Sequence, residues 1–348
     1  MKTKAAILVE QRKPLVIDEI EVPALKYGQV LVRIAYSGIC GSQLGEADGV
    51  KGPDKFLPHL LGHEAGGTVL ETGEGVTKVR RDDKVVLHWM KGDGINSPTP
   101  GYGWGGRTVN AGWVTTFNEL AVVSENRVTA MPAGGDMRTA PLFGCAIPTG
   151  FGVVNNDARL KLGESLVVYG AGGVGLSAIL AASLSSAHPV IAVDVSDEKL
   201  ALAGRFGAAH LVNAKKEDAE AAVRKILGAG GADAVVDTTG DPRVIEKAYG
   251  LTSARGRTIL VGVPRKGDDI SIYSLPLHFG KRLSGSYGGG VDPSYDIPRY
   301  MALCARRKTD LSGMISAVFP LDAINDAFEE LRGGRIAGRC LLDMRAAG

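Results

Sequence analysis

The run Gly170-Ala171-Gly172-Gly173-Val174-Gly175 constrains this chain more than any other. It fits G-x-G-x-x-G, and its setting gives the pattern weight: the strand-like SLVVY precedes it and the helix-like LSAILAASLSS follows. A second apolar run, VIAVD, ends in Asp194 about 20 residues further on, as a dinucleotide-binding βαβ unit requires. Gly170 permits the tight turn, Gly172 lets the backbone approach a pyrophosphate, and Gly175 lets the helix pack close to the strand. The helix N-terminus then offers free N–H groups and a positive dipole end to phosphates. Asp194 can accept hydrogen bonds from both ribose hydroxyls and would repel a 2′-phosphate. Val195 follows where a phosphate-binding Arg or Ser would sit, so NAD is expected in preference to NADP. On this motif alone another nucleotide, such as S-adenosylmethionine, stays open, because fold does not decide function.

From Gly163 onward strand and helix patterns alternate through PVIAVDVSDEKLALAGRFGA, ADAVVDTTG and GRTILVGV, the mark of a parallel doubly wound sheet. The first half reads differently. QVLVRIAYSG, GGTVLETG, DKVVLHW and FNELAVVSENRVTAMP are apolar and β-branched runs bounded by Gly, Asp, Asn or Pro, so this half is β-rich. Towards the end PSYDIPRYMALCARRK and DAINDAFEELRGG read as helices and RCLLDM as a final strand. Residues 91–112, rich in Gly and Pro, are expected to be too irregular for a regular element. A length of 348 residues exceeds what one hydrophobic core usually serves, so two domains are expected.

A net charge of +2 without any basic run gives no reason to expect nucleic acid or a membrane surface as a partner. MKTKAAILVEQ reads as a first strand rather than a signal peptide, and no stretch approaches the ~20 apolar residues of a membrane helix. The four cysteines, Cys40, Cys145, Cys304 and Cys340, lie far apart, which argues against a disulfide framework and for a reducing, cytoplasmic setting.

Two of those cysteines carry the chemistry. Cys40 lies in SGICGSQ, His63 and Glu64 in LLGHEAGG, and Cys145 in LFGCAIPTG. Each alone is unremarkable, since a lone Cys is usually a small buried hydrophobe. Together they offer two thiolates and an imidazole, a set that zinc prefers, and three protein ligands leave a fourth position open for catalysis. Nothing in the spacing brings the three segments together. Cys304 and Cys340 are expected to be inert core thiols.

GHEAGGTVLETGEGV resembles the zinc signature of the alcohol dehydrogenases of the medium-chain dehydrogenase/reductase superfamily. The order CG[ST], GHE, GC…TG, GAGGVG and VGVP is similar to theirs along nearly the whole chain. The resemblance implies an α/β protein with a GroES-like, β-rich catalytic domain (1–150 and 290–348) and an inserted Rossmann cofactor domain (151–289). It implies one catalytic zinc per chain on Cys40, His63 and Cys145, with Glu64 behind the metal. Ser42 matches the hydroxyl that hydrogen-bonds the reacting substrate oxygen and starts proton release. Thr149 and Val174 match positions that hold the nicotinamide ring, Lys199 one near the adenosine ribose, and Arg339 one at the pyrophosphate. Gly173, Val261 and Val263 fall in the cofactor motifs, and Trp89 falls where an aromatic wall of the substrate pocket is expected. A homodimer or homotetramer is implied, its cofactor domains pairing edge to edge through the strand near LSGSYGGG. The implied reaction passes a hydride between a small-molecule alcohol, primary or secondary, and NAD.

The chain also departs from that pattern. Gln43 stands where an Asp is typical, so a negative charge near the metal is missing, and a less neutralised metal should hold an anionic oxygen more tightly. Gly45 takes the place of the histidine that ends the proton relay; His88 and His59 are candidates only by nearness in sequence, a packed or exposed His being the ordinary reading. The four cysteines of a structural zinc are absent from WMKGDGINSPTPGYGWGGRTVNAGW. That lobe is expected either to be held by Trp104, Trp113 and Tyr102 or to serve the substrate mouth, where it would suit a polyol, cyclitol or sugar-derived alcohol. Trp89 speaks against very bulky substrates. Two rivals remain at this level: a zinc-free quinone or enoyl reductase of the same superfamily, and a nucleotide-binding protein without catalysis.

Overall fold

In the computed structural model, which describes residues 1–345, the chain divides into two units, Met1–Cys145 with Asp292–Gly348 and, inserted between these, Ala146–Val291. The first begins with β1 (Lys2–Leu8), β2 (Val16–Glu21) and β3 (Gln29–Ile39). The short helix α1 (Gly41–Ala47) follows β3 directly, then β4 (His59–Leu60), β5 (Ala65–Thr72) and β6 (Lys84–Leu87). Next come β7 (Gly101–Trp104), β8 (Arg107–Asn110), β9 (Leu120–Ser124) and β10 (Val128–Ala130).

The inserted unit holds α2 (Ala146–Gly152), β11 (Leu166–Tyr169), α3 (Gly173–Leu184), β12 (Val190–Asp194) and α4 (Asp197–Arg205). It continues with β13 (His210–Asn213), α5 (Ala219–Leu227), β14 (Ala232–Asp237), α6 (Pro242–Leu251), β15 (Thr252–Leu260) and β16 (Arg282–Gly285). The chain then returns to the first unit through α7 (Pro293–Arg306), β17 (Ile315–Pro320), α8 (Ile324–Arg332) and β18 (Arg339–Asp343).

QVLVRIAYSGI is buried along almost its whole length because both edges of β3 are paired. β5 takes one edge; on the other, β9 covers Gln29–Arg33 and β18 covers Tyr36–Ile39. The C-terminal strand is thereby locked beside the end of β3 that delivers Cys40. The resulting sheet runs β10-β6-β5-β3-β18-β17, with β9 on β3. Leu8, Val32, Val69, Phe117 and Phe328 meet in its core.

A closed barrel, β1-β2-β7-β8-β4, completes this unit and corrects the expectation for residues 91–112. GYGWGGRTVN forms a hairpin, β7–β8, turning at Gly105 and Gly106, whose φ values of 54° and 78° are those a two-residue hairpin turn needs. Two aromatic residues anchor it. Tyr102 is fully buried and its hydroxyl accepts the Val122 N–H at 2.7 Å, while the Trp104 indole donates to Asp18 at 2.9 Å. Trp113 takes no such part: it is 44% exposed, with the Arg127 guanidinium 5.5 Å from its ring.

In the inserted unit six parallel strands run in the order β13-β12-β11-β14-β15-β16, so the order reverses between β11 and β14. Their C-terminal ends at that reversal form the crevice where such sheets bind ligands. β11, β12 and β14 are nearly continuous apolar runs, as strands covered on both faces must be. The unit starts at Ala146 rather than 151 and ends at Val291 rather than 289, because α2 packs on α3 and its end lies against the Gly288–Gly290 turn. Thr149 therefore belongs to the inserted unit. Among the described residues no helix is long and apolar enough to cross a membrane.

Candidate active site

Cys40 is the N-cap of α1, its backbone extended where β3 gives way to helix. Its N–H donates to Gln43 Oε1 at 2.9 Å, closing the first turn, and Gln43 Nε2 lies in hydrogen-bond contact with His63 Nδ1. One buried glutamine thus ties two distant segments together. His63 follows Gly62, whose φ of +89° and close approach to Thr116 and Phe117 leave no room for a side chain. Cys145 ends the 3₁₀ turn Ala140–Gly144. The ligating atoms of Cys40, His63 and Cys145 lie within 4.8 Å of one another, all inside the first unit.

These residues fit a zinc ion. His63 Nε2 is buried and has no hydrogen-bond partner, an unpaired state that a metal would relieve. Two sulfurs and one imidazole form the borderline-soft donor set of zinc, with a fourth position left over. Cys145 hydrogen-bonds to Cys40, which holds the Cys40 thiol well below its usual range and pushes that of Cys145 well above it; the charge of Arg339 also lowers Cys40. The Trp89 side chain hydrogen-bonds Cys145 and favours its thiolate.

Behind the three lies Glu64, fully buried in a cradle made by Gly38 and Gly144, where a Cβ at either position would strike its side chain. Arg339 Nη2 donates to Glu64 Oε1. Glu64 Oε2 and Arg339 Nε are buried without partners. Sequence reasoning gave Arg339 a phosphate and missed this carboxylate.

In the cofactor unit Gly170 has φ +89° and Gly175 lies so close to the Gly170 carbonyl that only glycine fits. Gly172 caps α3 with open space around it, and Gly173 and Val174 start the helix half-buried. Asp194, at the end of β12, accepts the Ala171 N–H at 2.6 Å and those of Val195 and Ser196 at 2.7 and 3.0 Å, so its carboxylate is held against the Gly-rich turn. Lys199 is in the first turn of α4, Thr149 is buried on α2, Val261 is half-buried and Val263 is exposed.

Ser42, in the first turn of α1, is exposed. The histidines do not extend it into a relay. His88 is buried between the Met90 carbonyl and Thr129, and burial lowers its pKa to about 3. His59 is held by Asp54 at 2.7 Å and by the Leu60 carbonyl. Burial pushes the thiols of Cys304 and Cys340 up to about 11 and about 12. The contact of Gln43 with Cys40 has a signal in sequence, a polar residue three places after Cys40 at a helix start; the contacts of Gln43 with His63, of Trp89 and of Arg339 have none.

The sequence profile of the alcohol dehydrogenase GroES-like domain matches residues 26–133, and that of the zinc-binding dehydrogenases matches residues 173–306. S-(hydroxymethyl)glutathione dehydrogenase of Escherichia coli O1:K1 is 30% identical over 96% of this chain and 98% of that protein. Among solved structures, an alcohol dehydrogenase zinc-binding domain protein from Burkholderia ambifaria is 27% identical with a TM-score of 0.91, covering 99% of both chains. Benzyl alcohol dehydrogenase from Acinetobacter calcoaceticus is 25% identical with a TM-score of 0.89, again over 99% of both.

Proposed function

This chain belongs to the zinc-type alcohol dehydrogenases of the medium-chain dehydrogenase/reductase superfamily, and on that premise we propose that Cys40, His63 and Cys145 hold its one catalytic zinc while the Gly170–Gly175 turn and Asp194 hold NAD. It is an oxidoreductase acting between an alcohol and its carbonyl compound. One observation carries the assignment of ligands: three donors from three distant segments converge around a buried imidazole nitrogen that has no partner.

Bound there, zinc supplies a Lewis acid for the substrate oxygen and NAD supplies the hydride acceptor. The chain's own groups do the rest. Ser42 accepts the substrate hydroxyl proton and passes its own to water, which its exposure makes available and which replaces the histidine missing at Gly45. Trp89 hydrogen-bonds the Cys145 sulfur and would draw charge from that ligand. Arg339 holds the Glu64 carboxylate in its cradle and balances its charge. Asp194 selects NAD, since a 2′-phosphate beside its carboxylate would meet like charge.

The substrate is a primary or secondary alcohol. Residues 101–110 form a hairpin that closes the barrel, which supports the reading that this lobe is held by its own packing. A homodimer or homotetramer is supported by β16, an edge strand of the inserted unit's sheet, near which Tyr273, Phe279 and Tyr287 are each more than 70% exposed. Four free thiols support a reducing, cytoplasmic setting.

Metal content per chain, measured by elemental analysis on wild type and Cys145→Ser, tests the proposal. Close to one zinc in wild type, lost in the variant together with alcohol-dependent NADH formation, is the expected result. Zinc-free wild type that reduces activated alkenes or quinones would overturn it.

A further inference from the structure

Gln43 stands between two hydrogen-bond donors with only one oxygen to offer. Its side-chain amide lies against the Cys40 backbone N–H, which donates to Oε1 at 2.9 Å, and against His63 Nδ1, which faces Nε2. Gln43 is 2% exposed, and Cys40 and His63 on either side of it are half-buried. The His63 nitrogen left for a metal is Nε2, buried and without a partner.

A neutral imidazole binds a metal through its unprotonated nitrogen, so with Nε2 on the metal the proton sits on Nδ1 and requires an acceptor. Cys40 N–H requires one too. An amide has one carbonyl oxygen, and its other end only donates. Whichever way Gln43 is turned, one of the two N–H groups then faces an NH2 group. A carboxylate, with an oxygen at each end, would satisfy both.

We infer that Gln43 makes this a deliberately loose metal site, in which zinc uptake turns the amide over. Oε1 goes to His63, whose N–H the metal polarises into the stronger donor, and Cys40 N–H loses its acceptor. An N–H turned against an NH2 group opposes binding, so zinc is held less tightly than the three ligands alone would allow. The contact that is lost is one of two across the first turn of α1; the Gln43 N–H still donates to the Cys40 carbonyl at 3.1 Å, so the opening is confined to the Cys40 amide. Ligand binding ordinarily protects the backbone around it; here it exposes one amide. The inference rests on Cys40, His63 and Cys145 being the zinc ligands.

The test is amide hydrogen exchange at Cys40 in the full-length chain, resolved to the single residue, with and without zinc, alongside zinc affinity by chelator competition. In wild type, zinc should speed exchange at Cys40 while slowing it around His63. Gln43→Glu should reverse the effect at Cys40 and bind zinc about tenfold more tightly, 1.4 kcal/mol at 25 °C. The added charge alone raises affinity, so exchange at Cys40 decides. Gln43→Met, of similar length but with neither oxygen nor amide, should make Cys40 exchange fast with or without zinc. Equal protection of Cys40 by zinc in wild type and Gln43→Glu would overturn the inference and leave the ligands standing. Failure of both proteins to bind zinc would overturn the ligands and the inference together.

Discussion

Glu64 and Arg339, 275 positions apart in the chain, form an ion pair in which the carboxylate is fully buried and the guanidinium 5% exposed. A carboxylate in such a place survives only with its charge balanced, and removing one partner leaves the other uncompensated. Arg339→Met should therefore cost about 3–5 kcal/mol of folding stability. Glu64→Gln combined with Arg339→Met should cost much less than the sum of the two single changes. Denaturant unfolding of the four proteins measures this, and simple additivity would show that the pair is not coupled.

His88 should make the fold acid-sensitive. Burial lowers its pKa from 6.5 to about 3, so the unfolded chain binds a proton that the folded chain refuses. The stability due to neutral His88 is fully present above pH 6.5 and is lost as the pH falls towards 3, at up to about 1.4 kcal/mol per pH unit. His88→Gln should start less stable at pH 7.5 and fall more gently between pH 6.5 and 4.5. Parallel stability curves for the two proteins would refute the assignment.

Asp194 has a second duty beside the cofactor role proposed for it, since its oxygens hold the N–H groups of Ala171, Val195 and Ser196. Asp194→Ser should cut kcat/KM with NAD at least tenfold, and raise that with NADP relative to it. Steady-state kinetics with both cofactors is the check. An unchanged ratio would mean that Asp194 only braces the turn.

Trp89 hydrogen-bonds the Cys145 sulfur. Trp89→Phe keeps an aromatic ring and removes that bond, and hydrogen bonds to charged groups contribute about 1.5–3 kcal/mol. The expected outcome is a kcat reduced about tenfold or more with KM nearly unchanged and zinc content still close to one per chain. A KM effect alone would make Trp89 a substrate contact and nothing more.

The features legible in the sequence are those whose physics is local. GAGGVG was readable because consecutive residues decide a turn: a positive φ at Gly170 and the close approach at Gly175 are demands that only glycine meets. The alternation of apolar runs around it revealed the parallel sheet for the same reason. The β7–β8 hairpin was locally encoded too, in Gly105-Gly106 between alternating side chains, and went unread because the surrounding Gly and Pro masked it.

The sequence by itself determined the kinds of donor available, two thiols and an imidazole, and the class of fold that could carry them. Only the tertiary structure decided that Cys40, His63 and Cys145 meet, that Arg339 answers Glu64, and that the amide of Gln43 reaches His63. These contacts join segments brought together by sheet pairing and burial, and neither leaves a trace in the spacing of residues along the chain.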